Sequence, residues 1–253
     1  MKNILDKVRI DYSTYILILI GLLSGYIKNI MIILDIVLVH ELGHVFFFSL
    51  FKMDIESIVI YPFGGVSKVN KKIHERIYKD ILISLGGIIF QGLLIIVIYL
   101  LYKYSFIVNS TYNMYISYNK SIILFNLIPI IPLDGSKLLL SICSKFMSYR
   151  ISYITMIFVG CVSLLLFILY NMIFKLNDIV VYLFLLGSLI NCIKEYKYVK
   201  GRFYLERILY DNYYNEIIND SFDIKDMRID KYYYYKNKDR YINEKDYILK
   251  KMY

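Results

Sequence analysis

Long uninterrupted apolar runs dominate this chain and restrict its fold more tightly than any other feature. They lie at about 13–27, 30–51, 81–102, 121–143, 152–174 and 179–193. A bilayer core takes roughly 20 helical residues, or about 17 at the short end, so the first and last runs are short and the others sufficient. With 58% of 253 residues hydrophobic, too few polar side chains remain to cover a soluble domain of this size. In lipid every backbone polar group must be satisfied internally, and runs of this length do so as helices. The expected fold is an all-α polytopic membrane protein of about six transmembrane helices.

The formal net charge of +9 is placed as topology requires rather than as nucleic acid would. Lys2, Lys7 and Arg9 precede the first run. Lys52, Lys68, Lys71, Lys72, Arg76 and Lys79 follow the second, and Lys145 and Arg150 follow the fourth. This bias puts both termini and the 52–80 loop on the cytoplasmic side. The first run lacks a small-residue cleavage site, so a cleaved signal peptide is not expected. Cys143, Cys161 and Cys192 match neither a metal knuckle nor a redox pair and read as small apolar fillers. Gly21 and Gly25 form a small-xxx-small pair suited to close helix packing.

Between the second and third runs, Ser57-Ile58-Val59-Ile60-Tyr61 favours a strand and Pro62-Phe63-Gly64-Gly65 a turn. Val66-Ser67-Lys68-Val69 then alternates again, which predicts a short membrane-associated β-hairpin. From about Lys194 the chain mixes basic, acidic and tyrosine side chains, with Tyr232 to Tyr235 in succession. The interleaved acids argue against nucleic-acid binding. The expected organisation is a cytoplasmic N-terminus at 1–12, a six-span domain at 13–199 and a charged Tyr-rich cytoplasmic tail at 200–253. An amphipathic helix is expected near Gly201 to Tyr214.

Chemistry concentrates in the second run, at His40-Glu41-Leu42-Gly43-His44. Residues four apart share one helix face, so both imidazoles can reach one Zn2+ ion, and Glu41 projects beside it. Zinc lowers the pKa of bound water to about 7, within reach of a neighbouring carboxylate base. Ionisable groups inside a span cost about 2.5–3.5 kcal/mol on insertion scales and persist where function or a partner retains them. A hydrolytic zinc site usually has three protein ligands. His74, Glu75 and Asp134 are the remaining candidates. Asp134 closes Asn126-Leu127-Ile128-Pro129-Ile130-Ile131-Pro132-Leu133-Asp134-Gly135, whose two prolines break a helix and expose backbone that must line protein or a wet cavity.

The His40–His44 motif, Pro62-Phe63-Gly64-Gly65 and the Asn126–Gly135 stretch, in this order, resemble the site-2 protease family of intramembrane metalloproteases. The likeness is to its sporulation branch over residues 1 to about 210, including Arg202-Phe203-Tyr204-Leu205-Glu206-Arg207. The resemblance implies zinc held by His40, His44 and Asp134, with Glu41 as general base. It also implies substrate contacts at Asn126, Phe63, Gly64 and Gly65. It implies a membrane-associated protein substrate, in that branch a sigma-factor proform, and inhibitory membrane-protein partners. The location implied is the bacterial membrane, in that branch around the forespore.

Two departures accompany it. The family's Gly-Pro-x-x-Asn stretch of the third span is Ser84-Leu85-Gly86-Gly87-Ile88-Ile89-Phe90-Gln91 here, and packing is the expected role of Gly86 and Gly87. The roughly 50 residues after Lys200 are too few for a complete nucleotide-sensing CBS domain. An ion transporter would need several in-membrane charges along a path or inverted repeats. A catalytically inactive scaffold is the other alternative.

Overall fold

A computed structural model describes residues 8–61, 64–69, 76–174, 179–209, 216–219, 226–229, 231–237 and 240–252. They form two compact units, residues 1–71 with 82–125, and residues 72–81 with 126–253. The described part is mostly helical with two small sheets.

The first unit opens with strand β1 (Val8–Ile10) and helix α1 (Tyr12–Ser24). Asp11 caps α1 by accepting from the Ser13 amide at 3.0 Å. Its carboxyl pKa is lowered by the hydrogen bonds from the Ser13 side chain and backbone. Gly25 ends α1 with φ 77, a conformation glycine adopts without penalty. Gly21 packs against α2 (Ile27–Leu50), where an added Cβ would lie 2.2 Å from Ile30 Cδ1. The two small residues therefore serve different ends, close packing at one and helix termination at the other.

After α2 come β2 (Ile55–Tyr61) and β3 (Gly64–Val69), antiparallel, with Val59 opposite Val66 and Tyr61 opposite Gly64. The expected hairpin is present. β1 adds a parallel strand to β2, which the sequence did not suggest, giving the order β1-β2-β3. Pro62 and Phe63 lie outside the described residues, as do His74 and Glu75. Ile55 and Ile58 of β2 bury against Val45 and Phe48 of α2 and Ile83 of α3 (Ile77–Lys103), so the sheet is anchored to the helix pair that carries the motif.

α2 and α3 touch at their backbones. A Cβ on Gly43 would lie 2.2 Å from the Gly86 carbonyl oxygen, and one on Gly86 would lie 2.7 Å from that of Gly43. Lipid supplies no hydrophobic drive between helices, so such approaches rely on small residues at the crossing. α4 (Asn109–Asn126) joins α2 through polar bonds: Lys28 to Thr111 at 2.7 Å, Asn29 to Tyr118 at 2.6 Å and Tyr115 to Asp35 at 2.9 Å.

In the second unit, the apolar run at 121–143 is not the single span the sequence suggested. α4 ends at Asn126, residues 127–133 form turns, and α5 runs Asp134–Phe146. Pro129 and Pro132 lack amide protons and disfavour helix before them, so the helix stops. Gly135 allows the chain to fold back, because a Cβ there would meet the Leu127 carbonyl oxygen at 2.1 Å. α6 (Tyr149–Phe174) and α7 (Ile179–Leu209) follow. The helix expected near Gly201 to Tyr214 is the continuation of α7 as far as Leu209.

Among the described residues, α2, α3 and the 149–170 part of α6 are long and apolar enough to cross a bilayer; α1 is apolar but shorter.

The tail is folded. β4 (Glu216–Asn219) pairs parallel with β5 (Lys231–Asn237), which pairs antiparallel with β6 (Arg240–Asn243), and α8 (Glu244–Met252) closes it. Tyr149, Phe203, Met227, Ile229, Tyr233, Tyr235 and Ile248 form its apolar core. Burial pushes the hydroxyl pKa values of Tyr233 and Tyr235 up. Arg207 of α7 and Glu244 pair at 2.8 Å with both side chains fully buried. Glu244 also accepts from the Tyr233 amide at 2.9 Å, and Arg207 donates to the Arg228 carbonyl.

Removing one member of a buried ion pair strands the other charge, at about 3–5 kcal/mol, whereas replacing both with apolar residues can be neutral. Glu244→Ala should therefore open the tail to limited proteolysis, while Arg207→Met with Glu244→Leu should protect it again. Equal protease sensitivity of the single and double variants would refute a tail held by this pair.

Candidate metal centre

His40, Glu41 and His44 lie within little more than one turn of α2, all buried. Each imidazole has its Nδ1 engaged by α3. His44 Nδ1 lies 2.7 Å from the backbone carbonyl oxygen of Ile83, and His40 Nδ1 lies 3.0 Å from Gln91 Oε1. A carbonyl oxygen only accepts, so both rings donate through Nδ1 and carry their lone pairs on Nε2. The two Nε2 atoms face each other 3.1 Å apart. Two unprotonated nitrogens repel at that separation unless a cation lies between them. Zinc–nitrogen bonds of about 2.0–2.1 Å span such a pair. The donor set and its tautomers fit zinc.

α3 meets the motif with one face. Ile83, Gly87 and Gln91 recur every four residues, so they align along the helix. Gly87 lies against the His40 ring, where a Cβ would sit 2.3 Å from Cε1. The packing role expected of Gly86 and Gly87 holds, and Gly87 additionally shapes the bed of His40. Gln91 is the contact of the histidine pair that motif reading missed. The signal was available as an uncharged polar side chain deep in an apolar run, here fully buried.

Glu41 turns toward the sheet. Its Oε1 accepts from the Gly65 amide of β3 at 2.9 Å, and a Cβ on Gly65 would lie 2.3 Å from the carboxylate carbon. A side chain at Gly65 would require the Glu41 carboxylate to move from this position. Gly64, the adjoining residue, pairs with Tyr61.

In the second unit, Asn126 is the last residue of α4 and half-buried. Asp134 is the first residue of α5 and buried, with Lys137 Nζ 3.2 Å from its Oδ1. The expected contact residue Phe63 lies outside the described residues.

Peptidase family M50 matches residues 28–111, a stretch that includes the histidine motif and all of α3. Stage IV sporulation protein FB of Bacillus subtilis is 30% identical over 211 residues, covering 81% of this chain and 72% of that protein. A zinc metalloprotease of Methanocaldococcus jannaschii is 29% identical over 150 residues, 54% of this chain and 43% of that one. The solved site-2 protease from Methanocaldococcus jannaschii has the same fold, with a TM-score of 0.54 at 24% identity over 75% of this chain and 91% of that one. By class, then, the protein is a multi-pass membrane zinc metalloprotease of the site-2 type. It belongs to peptidase family M50.

Gly87→Ala should push the His40 ring off its position and lower zinc content in the purified protein. Gly92→Ala, one turn on where a Cβ meets nothing within 4 Å, should leave zinc content unchanged. Full zinc occupancy in Gly87→Ala would show that His40 tolerates the displacement.

Proposed function

We propose that this protein cleaves a membrane-associated protein substrate, with one zinc ion held by His40, His44 and Asp134. The observation that carries the reading is the histidine pair, whose Nδ1 atoms are both spent on α3 and whose Nε2 atoms meet 3.1 Å apart. Asp134 supports it as a buried carboxylate beside Lys137, of a residue type whose negative charge offsets that of a dication. The basic residues Lys71, Lys72 and Arg76 around His74 make that histidine a poor third ligand.

Zinc bound there supplies the positive charge that acidifies water and polarises a carbonyl. Glu41 takes the proton from the attacking water and delivers it to the departing amine, so water adds across the peptide bond as that bond breaks. The Gly65 amide orients the Glu41 carboxylate through its hydrogen bond. Asn126 holds the substrate backbone or the developing oxyanion.

A helical substrate must be extended before its backbone can be cut. β3, the sheet's terminal strand, offers strand addition on the side away from β2, along the strand that carries Gly64 and Gly65. The similarity to Stage IV sporulation protein FB supports a role in sporulation, and the resemblance to that branch implies a sigma-factor proform as substrate, cleavage at the forespore membrane and inhibitory membrane-protein partners.

Glu41→Gln should retain zinc and lose about 10²–10⁴-fold in cleavage rate. Asp134→Ala should lose both zinc and cleavage, and His74→Ala should keep both. Metal analysis and cleavage of a co-reconstituted sigma-factor proform read all three. Zinc lost from His74→Ala but kept in Asp134→Ala would reassign the third ligand. A Glu41→Gln protein as active as wild type would end the general-base role.

Val66→Pro removes a β3 backbone donor and should impair cleavage at normal zinc content. Unimpaired cleavage would refute strand addition at β3.

A further inference from the structure

We infer that Gln91 is a positioning residue for the metal centre: its carboxamide oxygen selects the His40 tautomer that presents Nε2 to zinc. The inference rests on the reading that His40 and His44 bind the metal.

His44 and His40 are held by different kinds of acceptor. Ile83 offers a main-chain oxygen, which has one possible role, so His44 is fixed as the Nδ1–H tautomer. Gln91 offers a carboxamide, which can turn either its oxygen or its nitrogen toward His40. Oε1 faces His40 Nδ1 at 3.0 Å. The rotated amide would point Nε2–H at Nδ1, drive the ring proton to Nε2 and abolish that nitrogen as a ligand. Metal competence therefore depends on which way one buried amide points.

The surroundings of Gln91 hold its backbone beside His40. Asn119 of α4 donates from Nδ2 to the Gln91 backbone oxygen at 3.1 Å, and both residues are buried. Gln91 Nε2 has no hydrogen-bond partner among the described residues. The amide orientation and the His40 tautomer are coupled, and the orientation placed here, Oε1 toward Nδ1, is the one that leaves His40 Nε2 to a metal. Partners that orient a metal-bound imidazole typically alter metal affinity about 10–100-fold when removed.

Two substitutions separate positioning from packing. Methionine matches the length of glutamine and fills the same space without an acceptor. Glutamate keeps the shape and accepts through either oxygen, which removes the wrong amide orientation altogether. A packing role ranks Q91E below Q91M, because it buries a carboxylate in an apolar segment. A positioning role ranks them the other way.

The test uses full-length protein in detergent micelles, stripped of metal and titrated with Zn2+ against a competing chelator. Wild type should bind zinc, Q91M should bind about 10–100-fold more weakly, and Q91E at least as tightly as wild type. Q91M binding like wild type, or Q91E binding more weakly than Q91M, would overturn the inference while leaving the metal site intact. Should Q91M not fold, Q91E binding more weakly than wild type overturns it as well. A wild-type protein that takes up no zinc would instead overturn the metal-site reading on which this one stands.

Discussion

The contact between Gly43 of α2 and Gly86 of α3 sets the geometry on which the first unit depends. With no side chain on either residue, the two backbones meet, and each Cβ that is absent would have landed on the other helix's carbonyl. That approach brings the Ile83 carbonyl to His44 and Gln91 to His40. Bulkier residues at the crossing would move α3 outward, and both imidazoles would lose the acceptors that fix their tautomers. A packing feature thus decides a protonation state.

The apolar setting makes each polar group's partner consequential. His40, Glu41 and His44 lie in a stretch, residues 36–48, otherwise built from Ile, Leu, Val, Phe and Gly43, and each is bonded to a neighbouring element. The donor to Glu41 is a main-chain amide of β3, so the short sheet belongs to the site and is anchored beside it by Ile55 and Ile58. The strand that orients the base is also the strand suited to hold an extended peptide. Under the proposed function, substrate presentation and proton transfer share one glycine-bearing segment.

The second unit uses a different economy of forces. Its helix break at 127–133 follows from two prolines and one glycine, local chemistry that places a carboxylate at the start of α5. Its tail relies on tertiary contacts, with tyrosines and a phenylalanine packed around one buried Arg207–Glu244 pair. That pair joins the end of α7 to the start of α8.

Much of this was written in local sequence patterns. The apolar runs required membrane helices because a bilayer admits little else. His40-Glu41-x-x-His44 named a zinc chemistry because four-residue spacing puts both rings on one helix face. The Ser57–Val69 alternation indicated a hairpin, and Pro129 and Pro132 a broken helix. What the sequence alone did not determine were relations between distant segments. It did not pair β1 with β2 or build a core from the tyrosine-rich tail. It did not place Gly65 on Glu41 or Gln91 on His40, residues separated by 24 and 51 positions. Periodicity and turn chemistry act over a few residues. Acceptors for buried imidazoles and donors for a buried carboxylate are found only when α2, α3 and the sheet come together, and that arrangement is a property of tertiary packing.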